Sequence, residues 1–219
     1  MMNTDNNILI ITGGRIDDEF LLSQYKSRNY KMIIAVDHGL HAADRLNITP
    51  DCIIGDFDSV TDSLLDKFRA RSIPIQTFPM EKDKTDTEIA IELAITHNPT
   101  SIDIVGATGS RMDHVLANIH LLRLPLQMNI RTTLLDSNNK IYLKDKNFMI
   151  KKQEQYGDYV SLLPFGDKVL GLTLVGFKYP LNHITYSAGS SLGVSNVILE
   201  QEARIELSEG ILIVIESKD

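Results

Sequence analysis

Tryptophan is absent from this sequence, and cysteine occurs once, as Cys52. One thiol cannot close an internal disulfide, which excludes a disulfide-stapled secreted domain and points to a reducing compartment. The opening stretch, MMNTDNNILI, has neither the basic lead nor the long apolar centre of a secretory signal. No apolar run approaches the roughly 20 residues of a membrane-spanning helix. A soluble, cytoplasmic protein is expected. Positive charge is also short: 22 Lys and Arg face 29 Asp and Glu, a formal net charge of -7. A nucleic-acid partner held through its phosphates is therefore not expected. A small anionic substrate would need local bases or a metal ion to offset that field.

Several chemical signatures are missing as well. There is no Walker A sequence, so a P-loop kinase is excluded. No G-x-G-x-x-G follows the first apolar run, which weakens a dinucleotide reading. No Cys/His cluster supports zinc, and no G-x-S-x-G supports a hydrolase triad.

What is present is a change of rhythm. Up to about residue 135, short Ile/Val-rich runs at 8–12, 31–36, 52–54, 73–78, 102–105 and 130–135 alternate with helical patterns at 17–27, 38–46, 61–70, 85–97 and 112–124. Continuous apolar runs suit strands buried on both faces, and intervening helices imply right-handed crossovers in a parallel sheet. After the polar break SNNK, the segments IYLKD, NFMIKK, DYVSLLPF, KVLGLTLVGF, HITYSA, ARIELS and ILIVIES alternate in the strand period, with turn residues between them. The expected plan is a Rossmann-like α/β domain over 1–138 and a small all-β sandwich or barrel over 139–219. A β domain of that size gains from a partner surface, so a dimer is expected.

In an open parallel sheet, ligands bind beyond the carboxyl ends of the strands. The segments that follow the five predicted strands there carry Gly13-Gly14-Arg15, Asp37-His38-Gly39, Gly55-Asp56 with Asp58, the Lys82–Asp86 stretch, and GATGSRMDH. Loops on the opposite edge, such as RNYK and HNPT, show no such cluster. Some of these residues have purely structural uses. Asp58 or Ser59 could cap the helix that starts near Thr61. Thr85-x-x-Glu88 is a capping box, and Ser110-x-x-Asp113 resembles one. Those uses leave Asp56 and Asp86 unexplained. Asp56 and Asp58 repel one another unless a cation or shared proton intervenes, and hard divalent ions prefer carboxylate oxygens. Lys82, Lys84 and Arg111 are candidate phosphate contacts, Arg111 at a helix N-terminus that already favours anions. His114 could be an ordinary helix histidine. Gly13 and Gly14 could form a plain turn or let backbone approach a phosphate.

GDFDS, KDKTDTE, GATGSRMDH and GVSN occur here in this order, with DHG at 37–39 and PD before the third strand. In these motifs the chain resembles the thiamine pyrophosphokinases over nearly its whole length. The resemblance implies transfer of a pyrophosphoryl group from ATP to the thiamine hydroxyl, giving thiamine diphosphate and AMP. It implies Mg²⁺ on Asp56, Asp58 and Asp86, Arg111 on phosphate, and Asp113 orienting the alcohol or a metal-bound water. It places ATP near Gly13, Gly14, Asp37, Gly39, Lys82, Lys84, Thr85, Gly109 and His114. It places thiamine by Asp86, Ser195 and Asn196, in a cleft of a homodimer between the α/β domain of one subunit and the β domain of the other. Two features depart from the family pattern: Val197 and Ile198 stand where an acid and then an aromatic are usual, and Ser110 replaces a Gly. Tyr186 is a candidate to supply the missing ring. The same transfer to another alcohol, such as a hydroxymethylpterin, and a regulator that binds without turnover are the rival readings.

Overall fold

The structure is a computed structural model that describes residues 5–58, 60–78 and 83–219. The chain forms two compact units, one ending at Ser137 and one beginning at Asn138.

Among its described residues the first unit holds six strands: β1 (Asn7–Ile11), β2 (Tyr30–Val36), β3 (Cys52–Gly55), β4 (Ile75–Thr77), β5 (Ser101–Val105) and β6 (Arg131–Leu135). They lie in the order β4-β3-β2-β1-β5-β6, and every pairing is parallel. All residues of β1 and β5 are buried, which is why these central strands read as unbroken apolar runs. The charged exception is Asp103, 2% exposed. Its carboxylate accepts a hydrogen bond from Tyr30 Oη at 2.7 Å and pairs with Arg28, so the buried charge is compensated.

Helices α1 (Asp18–Ser27), α2 (Gly39–Arg45), α3 (Asp62–Arg69), α4 (Asp86–Thr96) and α5 (Met112–Leu121) fill the crossovers, and α6 (Arg123–Gln127) precedes β6. The helix predicted over 112–124 is therefore two helices. Pro125 lacks an N–H, and its ring would meet the carbonyl of Leu121 in a continuous helix, so α5 stops there. α1 starts on Asp17, whose carboxylate accepts from Phe20 N–H at 2.9 Å.

The second unit contains the seven predicted strands: β7 (Asn139–Lys144), β8 (Phe148–Lys151), β9 (Tyr159–Pro164), β10 (Lys168–Val175), β11 (Leu181–Ser187), β12 (Glu202–Glu206) and β13 (Leu212–Ser217). Within it, β13 pairs antiparallel with β7 and β9, and a second sheet runs β11-β10-β12-β8, also antiparallel. Val160 and Leu162 of β9 and Leu212 and Val214 of β13 share one core with Leu172, Leu174, Ala203 and Ile205 of the other sheet. That is the expected sandwich. One inward position on β13 is charged: Glu216 is 1% exposed, paired with Lys140 at 2.8 Å and accepting from Tyr156 N–H at 2.7 Å.

Candidate active site

The strand order reverses between β1 and β5, each of which leads away to opposite sides of the sheet. A crevice opens at such a point, beyond the carboxyl ends. Here the loops that follow the two strands are joined backbone to backbone. Thr12 N–H donates to Val105 O at 2.8 Å, Gly14 N–H to Gly106 O at 2.8 Å, and Arg15 N–H to Thr108 O at 2.9 Å. Thr12 Oγ1 adds a bond to Gly106 O at 2.7 Å. A Cβ at Gly14 would overlap the carbonyl oxygens of Gly106 and Thr108, so only glycine permits this approach.

Above the joined loops lies a cleft of about 780 Å³, large enough for a small ligand. Gly13, Gly14, Asp37, Asp56, Lys84, Thr85, Asp86, Gly109, Arg111 and His114 all line it. Ten sequence-predicted residues, drawn from five segments, thus share one cavity. Among the described residues, its walls carry three carboxylates (Asp37, Asp56, Asp86) and three cationic side chains (Arg15, Lys84, Arg111). Among the described residues, the excess negative charge of the whole chain is therefore not repeated here.

Asp56 and Asp58 are separated by an anchor. Phe57 is buried at 9% exposure in a cluster with Ala35, Leu40, Ile53, Leu65 and Phe68. Its backbone is left-handed, φ 61°, a conformation costly for a bulky side chain and held by the packing around it. Asp56 stays at the cleft, and its Oδ1 accepts the Asp58 N–H at 3.2 Å. Asp58 is exposed and is not among the lining residues. Nor does it cap α3, whose N-cap is Thr61. Ser59, the other cap candidate, and Lys82, a candidate phosphate contact, lie outside the described residues.

Asp37 is also left-handed, φ 44°, and its N–H donates to Ile54 O at 3.0 Å. A Cβ on Gly55 would overlap Asp37 Oδ1. The glycine of GDFDS is thus what allows the carboxylates of two adjacent loops to approach the cleft together. Gly55→Ala should lower stability by about 1–3 kcal/mol, the usual scale of overpacking. Thermal denaturation checks this, and an unchanged midpoint refutes it.

Thr85 both lines the cleft and caps α4, its Oγ1 accepting from Glu88 N–H at 3.2 Å. That cap puts Asp86 on the first residue of the helix. Lys84 is drawn along α4 by Glu92, with Nζ to Oε1 at 2.6 Å.

On α5, Arg111, His114, Val115 and Asn118 recur at helical spacing and face the cleft together. Asn118 is 7% exposed and donates Nδ2–H to Ala107 O at 2.8 Å, fixing the loop after β5 to the helix. Asp113 falls outside that face and does not line the cleft. It pairs with Arg111 instead, Nη2 to Oδ2 at 2.6 Å and Nε to Oδ1 at 3.3 Å. The hydrogen bond from Arg111 holds the Asp113 carboxyl at about 2, too acidic for an effective base at neutral pH. The predicted Ser110-x-x-Asp113 box does not form, because the N-cap is Arg111 and it makes no side-chain cap bond. Gly39 is buried at the start of α2, where a Cβ would overlap Ile11 O. It packs helix on strand and does not line the cleft.

The expected carboxylate triad is not assembled as a cage: among the described residues, no group of three His, Cys, Asp or Glu could hold a metal unaided. The donors on the cleft do fit Mg²⁺ bound in its usual way, by one or two carboxylates with substrate phosphates completing the shell.

Thr12 and Asn118 line the cleft from outside the segments singled out in the sequence, whereas Arg15, His38 and Thr108 lie within those segments and had no role assigned to them. Asn118 was accessible from the sequence, seven residues beyond Arg111 on one helix. In the second unit, Ser195 is exposed, with φ 56° and its N–H on Ser161 Oγ at 3.0 Å. Asn196 is 3% exposed and committed to local backbone. Tyr186 cannot supply a ring to a ligand: it is 1% exposed in the sandwich core, its hydroxyl bonded to Ser190 O and Gly193 N–H.

Known proteins share the sequence pattern and fold of this chain. The family model "Thiamin pyrophosphokinase, catalytic domain" matches residues 22–134, and "Thiamin pyrophosphokinase, vitamin B1 binding domain" matches residues 147–212. Thiamine pyrophosphokinase of Bacillus subtilis (strain 168) is 35% identical over 186 residues, covering 85% of this chain and 87% of the relative. The crystal structure of thiamine pyrophosphokinase from Bacillus subtilis superposes with a TM-score of 0.87 at 34% identity, covering 98% of this chain and 100% of that one. The enzyme from Geobacillus thermodenitrificans gives 0.82 at 30% identity, covering 97% and 98%. With its catalytic and vitamin-binding parts both matched, the chain belongs to the thiamine pyrophosphokinase family.

Proposed function

We propose that the cleft at the β1/β5 crevice carries out ATP-dependent pyrophosphoryl transfer to thiamine, with Mg²⁺ as cofactor. The observation that carries this reading is the convergence of Asp37, Asp56 and Asp86 with Arg15, Lys84 and Arg111 on one cavity floored by glycine loops. The thiamine hydroxyl oxygen bonds to the β-phosphorus of ATP and releases its proton to solvent, the bond from that phosphorus to the α–β bridging oxygen breaks, and AMP leaves with that oxygen. Such transfers depend mainly on positioning and on neutralising charge.

Asp56 and Asp86 would hold Mg²⁺, which supplies charge neutralisation on the triphosphate when bound. Asp58 joins this set only as a second-rank candidate, given its exposed position. Gly13 and Gly14 bring backbone close to the phosphates. Arg111 at the start of α5 takes a phosphate, where the helix terminus also favours negative charge. Asp113 positions Arg111. Ser195 belongs to the thiamine side. The protein is read as a cytoplasmic homodimer, consistent with the buried free thiol of Cys52 and with exposed Met112, Leu116 and Leu199. Among the described residues, no helix is long and apolar enough to cross a membrane.

The test is incubation with ATP, Mg²⁺ and thiamine, following AMP and thiamine diphosphate together. Equal amounts of the two products are expected. AMP with a pterin alcohol but not with thiamine would reassign the acceptor, and no AMP with any acceptor would leave a binder.

A further inference from the structure

One side chain on the cleft keeps a hydrogen-bonding atom in reserve. Asn118 is 7% exposed and lines the cleft from α5. Its Nδ2–H is taken by Ala107 O at 2.8 Å. A backbone carbonyl only accepts, so this bond fixes which end of the amide is nitrogen and turns Oδ1 the other way. Oδ1 has no hydrogen-bond partner among the described residues, and it is not one of the unpartnered polar atoms sealed inside the protein. With Asn118 on the lining, that oxygen opens to the cleft. Once a ligand displaces water from it, an acceptor held in place and left unpaired is costly, so the ligand must supply a donor.

Because the free group is an acceptor, its partner is restricted. An ionised phosphate oxygen has no proton to give and is repelled. The donors on the two proposed substrates are amino and hydroxyl groups, and position narrows the choice. Asn118 stands two turns beyond Arg111 on the same face of α5, about 10 Å along the helix axis. Arg111 is the proposed phosphate contact, and that spacing matches the reach from a nucleotide's phosphates past the ribose to the far edge of the base. Val115 and Ala107, beside Asn118 on the lining, give the apolar surface that suits a flat heterocycle. Thiamine also carries an amine, but its proposed contact Ser195 belongs to the part matched by the vitamin B1 binding model, residues 147–212, and Asn118 lies outside it.

We propose that Asn118 is the base-reading residue of the nucleotide site, its Oδ1 accepting from the exocyclic 6-amino group of adenine. A 6-oxo purine would set a carbonyl oxygen against Oδ1, two acceptors with no proton between them, and is rejected for that reason.

This inference rests on the proposed transfer from ATP, and the experiment separates the two. AMP release by the parent protein with ATP, Mg²⁺ and thiamine is the control, and its absence overturns the transfer reading itself. With that activity present, kcat/KM for ATP should exceed that for inosine triphosphate by at least about tenfold, the scale on which one side chain reads a base edge. Asn118→Ala should bring that ratio to within about twofold of one, by lowering the ATP value. A purely structural role, in which Asn118 only holds the loop at Ala107, would lower both values together and leave the ratio alone. The ratio of ATP to 2′-deoxy-ATP, and that of thiamine to its 4′-oxo analogue, should be the same in both proteins. A parent ratio of ATP to inosine triphosphate near one, a ratio unmoved by Asn118→Ala, or a change falling instead on the deoxyribose or thiamine comparison overturns the proposal. The parent ratio requires no variant, so it decides the matter even where Asn118→Ala fails to fold.

Discussion

Asp56→Asn should reduce kcat by at least about 1,000-fold while leaving the melting temperature close to that of the parent. The substitution keeps the shape of the side chain and the acceptor for the Asp58 N–H, so the turn at 56–58 survives. What is lost is the negative charge that makes Asp56 a ligand for a hard cation. Without that cation, the triphosphate charge is met, among the described residues, by Arg15, Lys84 and Arg111, all on exposed loops or helix starts. Interactions that stabilise charge as it develops are commonly the largest single contribution to such a reaction. AMP release with a saturating excess of Mg²⁺ measures the effect, and circular dichroism checks the fold. Activity within tenfold of the parent would remove Asp56 from the metal site. Asp58→Asn should cost much less, because its carboxylate is off the cleft.

Arg111→Ala should lower kcat/KM for ATP by about 100- to 1,000-fold, the range seen when one fixed donor to a developing anion is removed. Arg111→Lys should recover only part of this, since a point charge does not replace a two-pronged grip. The pH dependence follows from the partner. Asp113 has its carboxyl lowered to about 2 through the hydrogen bond from Arg111. A lowered carboxyl keeps its pairing above the ordinary carboxylate range and loses it only as pH falls toward 2. The pair is therefore fully charged from pH 5 to 9, and the acid limb of kcat/KM should lie at the same pH in Asp113→Asn as in the parent. A limb that moves in that variant would make Asp113 a titrating catalytic group.

Much of the α/β unit was legible because burial on both faces forces continuous apolar strands, and residues such as Ile8–Ile11 and Ile53–Ile54 have no polar alternate. The all-β unit was equally open, since one-sided burial writes a period of two, as in Leu212, Val214 and Glu216. That last position also shows the limit. Glu216 occupies an inward site, and its charge is compensated by Lys140, 76 residues earlier. No local pattern encodes such a pairing. Pro125 could have been used to divide the helix predicted over 112–124, because its effect on the preceding turn is local.

The site divides along the same line. Which loops would carry chemistry follows from chain order, because a parallel sheet sends every post-strand segment to one edge. Ten of the predicted residues line the cleft for that reason. Which side chain within a loop faces the ligand depends on torsions set by packing at a distance. Phe57 is driven into a left-handed conformation by its burial among Ala35, Leu40 and Phe68, and so Asp56 and Asp58 part company. Starting α5 one residue later than a Ser110 cap would require puts Arg111 on the cleft face and Asp113 off it. The residues around Asn196 read by themselves as a plain turn and only the family resemblance marks it; its amide is bonded to the backbone of Tyr179, a residue 17 positions away. Spacing along the chain specifies composition at an edge; direction within that edge comes from contacts between residues far apart in sequence.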